Sequence, residues 1–267
     1  MLGKLMKYEF KATGRLLVPL YVALMIFAII NKLFMGDMSA IDSSSTFGTF
    51  IKVTTMIIYV VIMVSIFIVT LFVIIQRYRT NLLGDEGYLM NTLPVKPWQN
   101  IMSKLLTASI WMILSVIMAM LSILILAYQK DMFSVSWDFI SEFFKEAYRY
   151  SGSNVIFFSI EIILMMISGL VSSILIIYAS LSIGNLFTKA KILASFGAFI
   201  GLTTVSEIIT TFAFNPIINS FENLRIEGIT TTHFHFIFFF AIVSVTIYSV
   251  AYFIISHYIL TRKLNLE

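Results

Sequence analysis

Long, uninterrupted apolar segments dominate the hydropathy pattern of this chain. Six segments contain almost only apolar and small residues: 16–34, 53–75, 105–128, 155–184, 192–214 and 234–260. A helix needs about 20 apolar residues to cross the ~30 Å core of a bilayer. Because the segments are continuously apolar, they favour helices over barrel strands, which alternate in runs of ~10 residues. The pattern predicts an all-α polytopic membrane protein with six transmembrane helices in a single transmembrane domain, 1–267.

Composition supports this fold class. Of the 267 residues, 59% are hydrophobic and only 12% are charged, whereas soluble domains carry about 25% charged residues. The mean hydropathy is +0.95. The absence of Cys excludes disulfides, thiolate metal sites and a Cys nucleophile. The first apolar segment is longer than the 7–15 residues of a signal-peptide core, so we expect it to be retained.

Basic residues beside the apolar segments indicate the orientation. One side would hold both termini, 76–104 and 185–191, with twelve Lys and Arg residues and four acidic ones. The other side would hold six basic and eight acidic residues. Because cytoplasmic loops carry the excess of Lys and Arg, both termini are predicted to be cytoplasmic. The basic residues are spread over four segments, which does not favour nucleic-acid binding.

The first fifteen residues, MLGKLMKYEFKATGR, combine apolar and basic positions. Phe10 and its apolar neighbours alternate with Lys4, Lys7 and Lys11 at helical spacing. This pattern is typical of an amphipathic helix that lies in the inner membrane interface, with its cations near anionic headgroups. The alternative is a short basic tail that only sets the topology.

The connection between the second and third spans, 76–104, contains signals for a short helix. Asp85 follows Gly84 and can cap a helix, and Glu86 lies in its first turn, where the helix dipole favours an anion. Pro94 would end this helix, and Pro97 suits the first turn of the next one. We therefore predict a short, stiff cytoplasmic helix over 85–93; the alternative is an ordinary structured loop. Its apolar contacts would be Tyr88, Leu89 and Met90.

Three segments resemble permease subunits of ABC-2 type ATP-binding-cassette transporters, especially those of Gram-positive bacteria. They are KYEFKATGR before the first span, and LLGDEGYLMNTLPV and PWQNIMSKLL between the second and third spans. The six-span layout with both termini inside is similar to the same group. The resemblance implies that 1–15 is an interface helix and that 85–93 is a coupling helix, carrying Asp85, Glu86, Tyr88, Leu89 and Met90. In such transporters both dock on a separate ATPase subunit, which binds ATP and Mg, and two permeases form the pathway.

The connection between the third and fourth spans, 129–154, contains the sequence WDFISEFFKEAYRY. Its aromatic residues fall near one helical face, with charged residues elsewhere. We expect an amphipathic helix that lies flat on the outer surface. A substrate gate is the alternative.

Motifs for catalysis are absent from the sequence. There is no G-x-x-x-x-G-K-[ST] loop for ATP phosphates, no H-E-x-x-H and no G-x-S-x-G. His233 and His235 are two residues apart, which places them on different faces of a helix, and further metal ligands are not evident. We therefore predict no catalytic site, no metal site and no cofactor in this chain.

Two carboxylates lie within predicted spans. Glu161 and Glu207 both lie roughly 10 Å below the outer surface, at ~1.5 Å per residue. Ionisable groups in spans usually face a protein interior or a wet cavity, so both are candidates for lining a translocation pathway. Local hydration near the surface is the alternative.

The fifth span carries two further features. Thr203, Glu207 and Thr210 share one helical face, which predicts a polar stripe that lines the pathway. Gly197 and Gly201 form a G-x-x-x-G motif, which lets another helix approach closely. The alternative is that the threonines bond their own backbone.

Three hypotheses for the function follow. The leading one is the permease subunit of an exporter in the cytoplasmic membrane of a bacterium. It would move an amphipathic or hydrophobic substrate, such as a peptide, with ATP hydrolysed by a separate ATPase, together with a second permease copy or paralogue and membrane lipids. The second is a non-transporting membrane anchor or immunity protein. The third is an ion-coupled secondary carrier that uses Glu207 as its proton site.

Overall fold

The apolar segments fold as long helices in the computed structural model, which describes residues 2–35, 46–84, 95–128, 132–152, 154–222 and 231–262. In this part of the chain the regular structure is entirely helical. The helices are α1 (Leu2–Met35), α2 (Thr46–Tyr78), α3 (Pro97–Ala127), α4 (Met132–Ser151), α5 (Asn154–Gly184), α6 (Lys191–Glu222) and α7 (Thr231–Arg262). In a helix the backbone N–H and C=O groups form hydrogen bonds with each other, which is required in a membrane because hydrocarbon offers no hydrogen-bonding partner.

Six of the described helices, all except α4, are long and apolar enough to cross a membrane. The predicted fold class is therefore confirmed, and the protein is a multi-pass membrane protein. Every membrane-length helix begins before its predicted apolar segment, and α1, α2, α6 and α7 also end beyond theirs. α4 is amphipathic, as expected for 129–154, and its Phe139, Phe143 and Tyr148 side chains are exposed.

The N-terminal segment, for which the sequence predicts an amphipathic interfacial helix over 1–15, is helical from Leu2. Residues from Leu2 onwards continue into the first span as the single 34-residue helix α1. Neither Gly14 nor Pro19 interrupts it, and the Thr13 hydroxyl donates to the Glu9 carbonyl at 2.8 Å within the helix. At ~1.5 Å per residue α1 is about 50 Å long, which exceeds the ~30 Å membrane core.

The chain groups into two compact units. Unit 1 comprises 1–76 and 102–141, and unit 2 comprises 77–101 and 142–267. In unit 1, Leu17, Tyr21, Leu24 and Ala28 form a buried stripe along α1 at coiled-coil spacing. It packs with the buried members of α2 and α3, which are Tyr59, Ile66 and Trp111. This stripe orients α1 about its axis.

Hydroxyl groups join α1, α2 and α3 within unit 1. The Tyr21 hydroxyl lies 2.8 Å from Ser115 Oγ, and Thr70 Oγ1 lies 3.0 Å from the same oxygen. Tyr59 and Ser122 make a second contact at 3.0 Å. Such bonds between spans contribute about 0.6 kcal/mol each on average. They fix the rotation of α1, α2 and α3 more than they add stability.

In unit 2, α5 packs against both α6 and α7. Tyr78, at the end of α2, is fully buried and stacks on Tyr178 of α5 with ring centroids 4.0 Å apart. Its hydroxyl lies 2.8 Å from Ser182 Oγ. After Tyr78 the chain continues as a π-helical segment, Arg79–Leu83, whose Leu82 and Leu83 are buried.

Candidate functional site

The N-terminal part of α1 presents the predicted interface residues. Lys4, Lys7 and Lys11 are exposed and lie along one side of the helix. Phe10 is half-buried, and its ring lies 5.7 Å from the Trp111 ring. The segment is therefore amphipathic, with its apolar side held by α3 and its cations available to an anionic surface. Its role as an interface helix stays a prediction.

A buried ion pair joins this segment to α3. Lys104 Nζ lies 2.6 Å from Glu9 Oε1, and the two side chains are 2% and 12% exposed. Burial makes such a pair sensitive to loss of either member, because the remaining charge keeps its desolvation cost. In the sequence both residues are recognisable only as juxtamembrane charges. The available signal was that Glu9 is the one acidic residue among the N-terminal cations.

The predicted coupling residues, Asp85, Glu86, Tyr88, Leu89 and Met90, lie outside the described residues. The elements on both sides of them are described. Gly84 follows the π-helical segment in an extended conformation. On the other side, α3 begins at Pro97, as predicted, and the Gln99 N–H donates to the Lys96 carbonyl at 2.8 Å.

Glu161 is bonded to a histidine that the sequence analysis left without a partner. His235 Nδ1 lies 2.9 Å from both carboxylate oxygens of Glu161, so its N–H donates to the carboxylate. The Phe158 ring stacks on the imidazole, with centroids 4.1 Å apart. Both polar side chains are about one-fifth exposed. The sequence signal for this pair was the predicted topology. The spans that contain Glu161 and His235 begin on the same side of the membrane, so residues near their starts lie at similar depths.

The predicted polar stripe of α6 has a mixed environment. Thr203 and Thr210 donate to the Phe199 and Ser206 carbonyls of their own helix, at 2.9 and 2.7 Å. Tyr248 of α7 therefore donates to Thr210, at 2.9 Å. Glu207 is exposed, and no hydrogen bond or ion pair joins it to another described residue. No hydrogen bond among the described residues joins Glu161 to Glu207, and the pathway-lining role of both stays a prediction.

The glycines of α6 lie in open space. A Cβ atom at Gly197 or Gly201 would meet no described atom within 4 Å. The close approach in unit 2 is made instead by Gly184, where a Cβ would collide with Ser195 Oγ and with the Ser195 backbone. The G-x-x-x-G motif therefore makes no helix contact within the described part of the chain. Gly184, which the sequence did not single out, lies at the end of α5 and contacts Ser195 in the first turns of α6.

Metal ligands do not gather in the described ranges. No group of three or more His, Asp or Glu side chains lies within reach of a common ion there. The Glu9–Lys104 and Glu161–His235 pairs instead connect neighbouring helices.

Comparison with known proteins finds no matching protein family, no matching curated protein and no matching solved structure.

The Glu161–His235 pair provides a testable coupling between α5 and α7. In a double-mutant cycle of Glu161→Gln and His235→Gln, we expect a coupling energy of about 0.6–1.7 kcal/mol, from the average to the maximum that such cycles give for hydrogen bonds between membrane helices. Unfolding in mixed detergent micelles would measure it. The matched control is Glu207→Gln with His235→Gln, which should show no coupling. Equal values for the two cycles would contradict the pairing.

Proposed function

We propose that this chain is the permease subunit of an ATP-driven exporter of the ATP-binding-cassette class. It lies in the cytoplasmic membrane of a bacterium with both termini in the cytoplasm, and a separate partner subunit binds ATP and Mg and hydrolyses the nucleotide. The substrate is amphipathic or hydrophobic, for example a peptide. The six membrane-length helices support this proposal, as does the resemblance of 1–15 and 82–105 to ABC-2 permeases.

The observation that carries the proposal is the buried Glu9–Lys104 ion pair. Lys104 lies seven residues after Pro97, the residue at which the chain leaves the proposed coupling segment and enters α3. The pair therefore holds the N-terminal part of α1 along the same helix that the coupling segment enters. The N-terminal part of α1, one of the two predicted ATPase contacts, is thereby tied to α3, which suits the transmission of a nucleotide-driven movement.

A second permease copy or paralogue completes the pathway in this proposal. α6 is the least covered span, since 0% of its most apolar stretch is buried within the chain. Gly197 and Gly201 leave room for a helix from another chain, and Glu207 is exposed on the same span. The substrate would pass as the two copies alternate between inward-open and outward-open arrangements.

Copurification tests the proposal directly. The full chain, extracted in detergent and reconstituted in nanodiscs, should retain an ATPase subunit encoded beside it, and the complex should hydrolyse ATP. Failure to associate with any ATPase under both conditions would overturn the proposal. Function that survives deletion of 82–97 would instead indicate a non-transporting membrane protein.

Charge reversal tests the coupling segment. With Asp85→Lys and Glu86→Lys, we expect the transport-coupled ATPase activity to fall about fivefold, the effect of losing roughly 1 kcal/mol at a surface contact. The matched control reverses Asp138 and Glu142, which are exposed on α4 in the connection on the opposite side, and should leave the rate unchanged. Unchanged activity in the 85/86 variant would remove the coupling role.

A further inference from the structure

A groove lies at the C-terminal end of α7, within unit 2. It has a volume of about 540 Å³ and is lined by Trp98, Phe253, Ile254, His257, Tyr258, Thr261 and Arg262. Trp98 belongs to the first turn of α3, and the other six residues belong to the last three turns of α7. The groove therefore lies where two spans meet the membrane surface.

The polarity of the lining changes along the helix axis. Phe253 and Ile254 form the deeper end, and Arg262 lies eight residues beyond Ile254 in the final turn. At ~1.5 Å per residue these ends are about 12 Å apart. The groove is thus apolar at Phe253 and Ile254 and cationic at Arg262, near the end of α7.

The charges in the lining favour an anionic occupant. Arg262 is exposed, and none of the lining residues is acidic. The imidazole of His257 lies between the two ends and stacks on Phe253, with ring centroids 6.2 Å apart. A guanidinium suits the oxygens of a phosphate because it can donate two parallel hydrogen bonds.

Two aromatic side chains border the groove. Trp98 and Tyr258 are 41% and 51% exposed, and both line the groove. Trp and Tyr are enriched where hydrocarbon gives way to headgroups. The aromatic border matches the depth of the glycerol region of a lipid.

We propose that this groove is a binding site for one anionic phospholipid. Its phosphate lies at Arg262, its glycerol region beside Trp98 and Tyr258, and the first methylenes of an acyl chain on Phe253 and Ile254. A free phosphate would use only the cationic end. The apolar depth therefore assigns the site to a lipid.

Native mass spectrometry of the full chain, released from nanodiscs with equal amounts of phosphatidylglycerol and phosphatidylcholine, tests this site. We expect the wild type to retain phosphatidylglycerol preferentially. Arg262→Gln should lower this preference about fivefold, the factor for one interfacial cation. The matched control, Arg79→Gln, removes an exposed arginine that does not line the groove and should leave the preference unchanged.

A second variant tests the apolar part. Ile254→Trp fills the deeper end, keeps every charge, and should reduce phosphatidylglycerol retention while the thermal unfolding midpoint is maintained. Equal loss in the Arg262 and Arg79 variants, or equal retention of phosphatidylcholine by the wild type, would overturn the proposal. Displacement of the bound lipid by soluble glycerol phosphate would overturn the proposal in favour of a phosphate site. Detection of a second copy of this chain in place of the lipid would overturn it in favour of an interface between two copies.

Discussion

Glu9→Gln is expected to lower the free energy of unfolding by about 3–5 kcal/mol, the range for breaking a buried ion pair from one side. The Lys104 side chain is only 2% exposed, so removal of the carboxylate leaves its ammonium group desolvated without the ionic partner that compensates it. Unfolding of the purified chain in mixed detergent micelles would measure the change.

Two variants separate the ion pair from general effects on α1. Lys7→Gln changes an exposed charge two residues away on the same helix and should leave the unfolding free energy unchanged. Glu9→Gln combined with Lys104→Met removes both charges, so it should recover much of the lost stability. If Glu9→Gln behaves like Lys7→Gln, the pair does not hold the two helices.

Gly184→Ala is expected to destabilise unit 2 by about 1–3 kcal/mol, as overpacking of a tight site does. An added Cβ would lie 2.5 Å from the Ser195 nitrogen and 2.6 Å from its Cα, in addition to its collision with Ser195 Oγ. Backbone atoms cannot rotate away as the end of a flexible side chain can, so the turn between α5 and α6 would have to shift. The thermal unfolding midpoint of the purified chain would report the loss.

Gly197→Ala is the matched control, because this glycine lies within α6 with open space at its Cβ position. There the change should be neutral or stabilising, by up to ~1 kcal/mol from helix propensity. An equal loss of stability in the two variants would contradict the assignment of the close contact to Gly184. A loss at Gly197 that appears only in a dimeric sample would indicate that a second chain packs on α6.

The span count was predictable because it depends on one local property. A segment of about 20 apolar residues in a bilayer has no better structure than a helix, so all six spans followed from hydropathy. The helix ends were less predictable: α1 begins at Leu2, fourteen residues before the first apolar segment. Contacts of Glu9 and Phe10 with α3 accompany this continuation, and hydropathy does not record them.

The polar side chains show the opposite situation. Glu161 was predicted to be a candidate pathway residue, but its bond to His235 depends on the rotation of α5 and α7 about their axes. That rotation is set by packing of many apolar side chains across helices. The glycines illustrate the same limit, since a G-x-x-x-G motif identifies a helix that can be approached closely but not whether one approaches it within the chain.

The amino-acid order alone determined that this protein has six helices long and apolar enough to span a membrane, because in hydrocarbon the backbone groups of each apolar segment must bond within the segment and a helix achieves this. It also located the cations of the first helix, since their spacing is a property of a single helix. Which groups on different helices meet was decided only by the tertiary structure. The Glu9–Lys104 pair, the Glu161–His235 pair and the contact at Gly184 each require two segments distant in sequence, and their distances depend on how the helices pack and turn.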